Sequence, residues 1–111
     1  MDNNKDDKYY ALKSIENIEA IQKYIDKKTY EEYMSDQETN DAIMFRLIQL
    51  IENLKNISQE FKDNYPFIPW GDIIGFRNGI VHEYGETDYT IVYETITEDL
   101  EPLKEVLNNI A

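Results

Sequence analysis

Between Asp36 and Asn64 the chain carries Ile43, Leu47, Leu50, Leu54, Ile57 and Phe61 at spacings of 4, 3, 4, 3 and 4. A strand would need alternation, so this rhythm fits only a helix with one apolar stripe facing one partner surface. The partner is written into the segment before it. From Asp7 to Lys28, Leu12, Ile15, Ile18, Ile21 (or Tyr24) and Ile25 recur at helical spacing. Thr29 and Glu32 between them have the spacing of a capping box, which predicts a short helical turn through Met34.

After Asn64, "DNYPFIPWGD" interrupts the pattern with two prolines. Pro69 suits the first turn of a helix over about Trp70–Val81, where the amide it lacks has no partner anyway. The stretch "ETDYTIVYETIT" is rich in residues with strand propensity. Yet Val92, Ile96, Leu100, Leu103, Leu107 and Ile110 keep helical spacing to the end, so a helix is expected, bent or restarted at Pro102. The expected fold is all-α: one domain over residues 1–111, an up-and-down bundle of four to five helices.

Composition narrows the function. The 41% hydrophobic content supports a core, and no apolar run reaches the roughly 18–20 residues a membrane helix needs. The polar "MDNNKDDKYY" does not fit a signal peptide, so a soluble cytoplasmic protein is expected. With no cysteine and one histidine, disulfides, thiolate metal sites and a multi-histidine zinc site within one chain are excluded. A net charge of −12 opposes extended binding to phosphate backbones. It still permits a small ligand, a cationic partner or a narrow site on RNA, since charges beyond about 10 Å are largely screened.

The chemistry-bearing residues gather in "GFRNGIVHEYG". Gly71, Gly75 and Gly79 are four apart and form a slowly drifting stripe. Such a stripe permits close approach of another backbone, either a helix of the same chain or a second copy. Asn78 and His82 share one face; Arg77 and Tyr84 share an adjacent one. Arg77 and His82 lie roughly 140° apart on an ideal helix, so one straight helix does not converge all four groups. Two copies about a two-fold axis could, if the helix C-terminus frays so that His82 and Tyr84 turn into the groove between them. Taken alone the pattern is weak, because a histidine near a helix C-terminus is often a capping or solvated residue.

The run "IPWGDIIGFRNGIVHEYGETDYTIVYETITEDLEPL" resembles the HepT-type branch of the HEPN superfamily over about residues 66 to 107. The resemblance rests on R-x-x-x-x-H-x-Y at a helix end, I-P-W before it, and a "dl-x-x-L"-like segment in the next helix. It implies a HEPN-like bundle, a homodimer with the motif at its interface, and metal-independent RNase activity with no cofactor. It also implies a type VII toxin, partnered by a nucleotidyltransferase-fold (MNT) antitoxin, acting on RNA such as tRNA or mRNA. By position Arg77 and His82 would be the catalytic pair, Asn78 the polar residue beside them, and Tyr84 the tyrosine that the antitoxin adenylylates. No motif position is degenerate.

The residues suit that chemistry. RNA brings its own nucleophile, the 2′-hydroxyl, so the protein needs only proton transfer and charge stabilisation. His82 exchanges a proton near neutral pH, and Arg77 holds two phosphate oxygens with its planar fork. Two other readings stand beside this one: a non-enzymatic subunit binding nucleotide or substrate for a partner nucleotidyltransferase, favoured by the acidity, and a dimerisation module without chemistry. Asp99 with Glu101, and Glu31 with Glu32, read as solvated helix faces rather than carboxylate pairs. The nine tyrosines read mostly as core edges. Arg46, among apolar residues of the long helix, is expected either to pair with a carboxylate or to line the catalytic groove.

Overall fold

The structure, a computed structural model, describes residues 5–75 and 89–110. Within them every regular element is helical: α1 (Asp7–Ile25), α2 (Tyr30–Ser35), α3 (Gln37–Lys55), α4 (Gln59–Asp63), α5 (70–75), α6 (Tyr89–Glu98) and α7 (Leu100–Leu107). The fold is the expected all-α bundle.

Its centre is the pairing of α1 with α3, the most extensive contact between elements. The two run antiparallel: Asn17 meets Arg46, whereas Lys28, just past the end of α1, meets Asp36 at the start of α3. On α3 the predicted stripe is the buried face, with Ile43, Leu47, Leu50 and Leu54 fully buried and Ile51 joining them. On α1 the buried face is rotated from the one expected. Ala11, Ser14, Ile18 and Ile21 are fully buried, and Leu12 is 48% exposed. The small side chains of Ala11 and Ser14 lie on the buried face, and Leu12 lies outside it. Each fully buried Leu or Ile contributes about 1.5–3 kcal/mol.

Helix ends follow local chemistry. Asp6 caps α1 by accepting from the Tyr9 amide. α1 stops at Ile25, short of Lys28, because Lys27 takes the left-handed conformation with φ 64° that commonly closes a helix. The capping box forms as predicted: the Glu32 amide donates to Thr29 Oγ1 at 3.1 Å and the Thr29 amide to Glu32 Oε1 at 2.8 Å. These bonds hold the Glu32 carboxyl below its ordinary value. Asp36 then caps α3 through the Thr39 amide and hydroxyl, and its carboxyl is lowered by the same bonds.

The long second helix expected to run to Asn64 is broken after Lys55. The Ile57 amide tightens onto the Leu54 carbonyl at 3.2 Å, and Ser58 starts α4 by accepting from the Phe61 amide. The break is fastened from the other end of the fold: Asp7 accepts from the Ser58 amide at 2.8 Å and from its hydroxyl at 2.6 Å. Ile57 stays buried and Phe61 stays packed against the core, so the apolar stripe continues across the bend.

α6 and α7 form one arm with a joint. Val92, Ile96, Leu100, Leu103 and Leu107 are buried, as their spacing predicts. α6 ends at Glu98, the residue whose carbonyl the Pro102 ring would strike in a continuous helix. Pro102 then lies in the first turn of α7, where no amide is needed. α7 docks on α1 through Lys104 Nζ, which donates to Gln22 Oε1 at 2.9 Å, and through Gln22 Nε2, which donates to Glu101 Oε1 at 2.9 Å.

Asp99, at the joint, has its carboxyl raised by burial and by the nearby charges of Glu98 and Asp72. This places Asp72 of α5 beside the α6–α7 joint.

Two tests follow from this architecture. Asp7→Ala removes both bonds to Ser58, and the loss of about 2 kcal/mol should appear as a lower urea midpoint. For Asp99 the sign is opposite. Its folded carboxyl resists ionisation, so its contribution is unpenalised below the ordinary 3.8 and becomes a cost as pH rises above it. Its side chain makes no cap hydrogen bond to lose. Asp99→Asn should therefore raise the melting temperature by about 2 °C at neutral pH, with the gain gone by about pH 3.

Candidate functional site

Arg77, Asn78, Gly79, His82 and Tyr84 lie outside the described residues, between α5 and α6. What the structure defines is the mounting on either side. On the N-terminal side, the turn 65–69 carries the chain into α5. The Ile68 amide donates to the Tyr65 carbonyl, and the Pro69 carbonyl accepts from the Ile73 amide at 3.0 Å. Pro69 thus sits one position before the first helical residue. Trp70 Nε1 donates to the same Tyr65 carbonyl at 3.1 Å, and the Trp70 ring meets Phe61 edge-on at 6.3 Å between centroids. Asn109 Nδ2 donates to the Tyr65 hydroxyl, tying this turn to the last turn of the chain. Trp70 and Ile73 are buried, so one side of α5 is anchored.

The opposite side of α5 is open. Gly71 and Gly75 are exposed, and among the described residues nothing lies within 4 Å of where their Cβ atoms would be. No described helix of the same chain crosses at these two glycines. Phe67, four residues before Gly71, is 70% exposed on the same stretch.

On the C-terminal side, α6 is clasped to α2. The Tyr30 and Thr90 hydroxyls share a hydrogen bond of 2.7 Å, and the Tyr93 ring packs on Tyr30 at 5.1 Å and Tyr33 at 5.3 Å. Tyr33 is fully buried, and burial pushes its phenol far above the ordinary value, so it serves as core. The tyrosine reading holds for Tyr10, Tyr24, Tyr65, Tyr89 and Tyr93 as well, which pack at the core edge.

Glu31, Glu32 and Glu101 lie on exposed helix faces as expected, but Asp99 is half-buried at the α6–α7 joint rather than on a solvated face. Glu32 is spent on its capping box, and Glu101 accepts from Gln22 and lies 3.7 Å from Lys104. Among the described residues no three histidine, aspartate or glutamate side chains come together as a metal-binding group.

Arg46 takes a place that spacing alone did not define. Its guanidinium donates to Asn17 Oδ1 at 3.3 Å, and among the described residues it forms no ion pair. It lines a groove of about 500 Å³ between α1 and α3, together with Ala20, Lys23, Tyr24, Lys28 and Thr39. The sequence signal for this groove was the basic run "KYIDKK", residues 23–28, in an otherwise acidic chain.

Comparison with known proteins bears on the segment between α5 and α6. Residues 14–110 match the family described as "Ribonuclease HepT-like". A Thermococcus cleftensis protein named "Probable ribonuclease HepT" is 31% identical over 97 residues, covering 87% of this chain and 88% of its own length. A Methanocaldococcus jannaschii protein named "Gamma-glutamylcyclotransferase and putative RNase" is 30% identical over 106 residues, or 96% of this chain. The chain spans about half of that protein, 48% of its length. No solved structure matches. The family match reaches well beyond the 66–107 stretch that carries the motif and takes in most of α1, all of α3 and α7: the chain belongs to the HepT-like ribonuclease family of the HEPN superfamily.

Proposed function

We propose that this chain is a metal-independent endoribonuclease, acting as the toxin of a type VII HEPN/MNT toxin–antitoxin pair. The observation that carries the reading is an intact R-x-x-x-x-H-x-Y motif, Arg77 to Tyr84, in a chain of the HepT-like ribonuclease family. His82 of one subunit takes the proton from the RNA 2′-hydroxyl, whose oxygen attacks the adjacent phosphorus. The 5′-oxygen leaves with a proton from the second subunit's histidine, giving a 2′,3′-cyclic phosphate and a 5′-hydroxyl. Arg77 holds the non-bridging oxygens as charge builds on them, and Asn78 orients phosphate or imidazole.

The homodimer this needs is supported by the open face of α5, where Gly71 and Gly75 have no described neighbour and Phe67 is exposed. In the sequence, Gly79 follows at the same spacing of four. Exposed backbone at two glycines, with an exposed apolar residue on the turn leading into the helix, suits contact with a second copy.

The cleavage assay is direct. Activity on single-stranded RNA should persist in excess chelator and fall at least about 10²-fold in His82→Ala and in Arg77→Ala. Substrates lacking the 2′-hydroxyl should resist. Gly75→Leu should lower activity in step with the monomer fraction seen by sedimentation, because a side chain there overpacks the contact. Folded, dimeric protein that binds nucleotide but cleaves no RNA would favour the non-enzymatic binding subunit, the reading that the net charge of −12 supports.

Control falls to Tyr84. Adenylylation there by the MNT-fold partner places a phosphodiester beside Arg77, which then pairs with the attached phosphate instead of the substrate's. Incubation with ATP and the partner should add adenylyl mass to the Tyr84 peptide, and Tyr84→Phe should stay folded and escape silencing. A Tyr84→Phe protein silenced in full by the partner's catalysis would place control elsewhere.

A further inference from the structure

The chain has nine lysines and two arginines against 23 carboxylates, yet Lys23, Lys28 and Arg46 all line the α1–α3 groove. Lys28 and Arg46 are half-buried there, and Lys23 is exposed at its edge. Lys28 is shared with Asp36 at 3.7 Å, the carboxylate at the groove's end, which is itself held by the Thr39 hydroxyl at 2.7 Å. Lys23 and Arg46 have no carboxylate within ion-pair distance among the described residues. The nearest α1 glutamates in sequence are engaged elsewhere, Glu16 with Lys13 and Glu19 with Lys104.

Arg46 is also held in place. Asn17 is only 6% exposed; its Nδ2 donates to the Lys13 carbonyl at 2.9 Å, which leaves its Oδ1 to receive the guanidinium. One of the five guanidinium N–H donors is thereby used and the others remain for a ligand. Tyr24 adds a ring on which a base can stack. The volume, about 500 Å³, lies inside the roughly 300–1,000 Å³ range of ligand sites. From Thr39 to Arg46 the wall of α3 runs about 10 Å, the length of about three stacked nucleotides. At the Lys28 end the groove adjoins α2, whose Tyr30 is bonded to Thr90, where the chain enters α6 from the motif segment.

We propose that this groove holds phosphodiesters of the substrate RNA strand, about three nucleotides of it, outside the cleavage motif. The inference rests on the ribonuclease reading and deepens it. Charges beyond about 10 Å are largely screened at 0.1 M salt, so the near cations of such a track can hold a strand on a protein that is acidic as a whole. Arg46 and Lys23 are the positioning residues: they grip flanking phosphates and leave chemistry to the motif.

The test uses the full chain and a fluorescently labelled, single-stranded 2′-O-methyl oligoribonucleotide, which binds without being cut. Anisotropy titrations over a range of salt compare the natural protein with Lys23→Gln, Arg46→Gln and the double variant. The double variant should bind about tenfold more weakly at 0.1 M salt, with a log–log salt slope shallower by about 1.4, from two lost phosphate contacts at ~0.7 each. Lys23 is exposed and bonded to nothing described, so Lys23→Gln alone should keep the natural melting temperature and show half the slope change. Equal affinity and slope in all four proteins, with the natural chain cleaving RNA, would overturn the groove and leave the ribonuclease reading standing. A natural chain that neither cleaves RNA nor binds the probe would overturn both.

Discussion

The antiparallel seam between α1 and α3 is the constraint on which everything else rests. Six residues of α3 and five of α1 turn inward along it, including Ser14 and Asn17 from α1 and Asn40 from α3. Ala11 and Ser14 of α1 are fully buried while Leu12 is exposed, and Ala20 and Tyr24 line the rim beside Arg46, to which Asn17 is bonded. Asn17 is under-solvated there and gains its partners from the Lys13 carbonyl and Arg46, which turns a potential cost of burial into an orienting contact.

The remaining elements are hung from this pair by short-range devices at their ends. Asp7 grips Ser58 and so fixes the direction in which α4 leaves α3. Phe61 then reaches Tyr65 and Trp70, which set the start of α5. Tyr93, held between Tyr30 and Tyr33, sets the start of α6. The motif residues thus depart from and return to two separately anchored helices. Among the described residues α5 is packed on the side of Trp70 and Ile73 and uncovered at Gly71 and Gly75.

Charge is distributed with the same economy. Burial, with Glu98 and Asp72 nearby, holds the Asp99 carboxyl above its ordinary value, whereas Lys23 of α1, Lys28 just past it and Arg46 of α3 line one groove.

How much of this was legible beforehand depended on the range of the interaction. The 4-3-4-3 stripe of α3, the Thr29–Glu32 box and the Val92 to Leu107 spacing are local patterns, and the sequence alone determined them. The same holds for the R-x-x-x-x-H-x-Y motif, whose reaction came from its resemblance to a known family rather than from the spacing itself. Tertiary structure decided the rest. The break at Ser58 is fastened by Asp7, 51 residues away, and α1 buries the face that packs in the bundle, not the one its own apolar spacing marks. The groove exists only because Lys23 and Arg46 are brought together from two helices. Contacts of that kind leave no periodicity in either segment, because each depends on a surface that the segment itself does not contain.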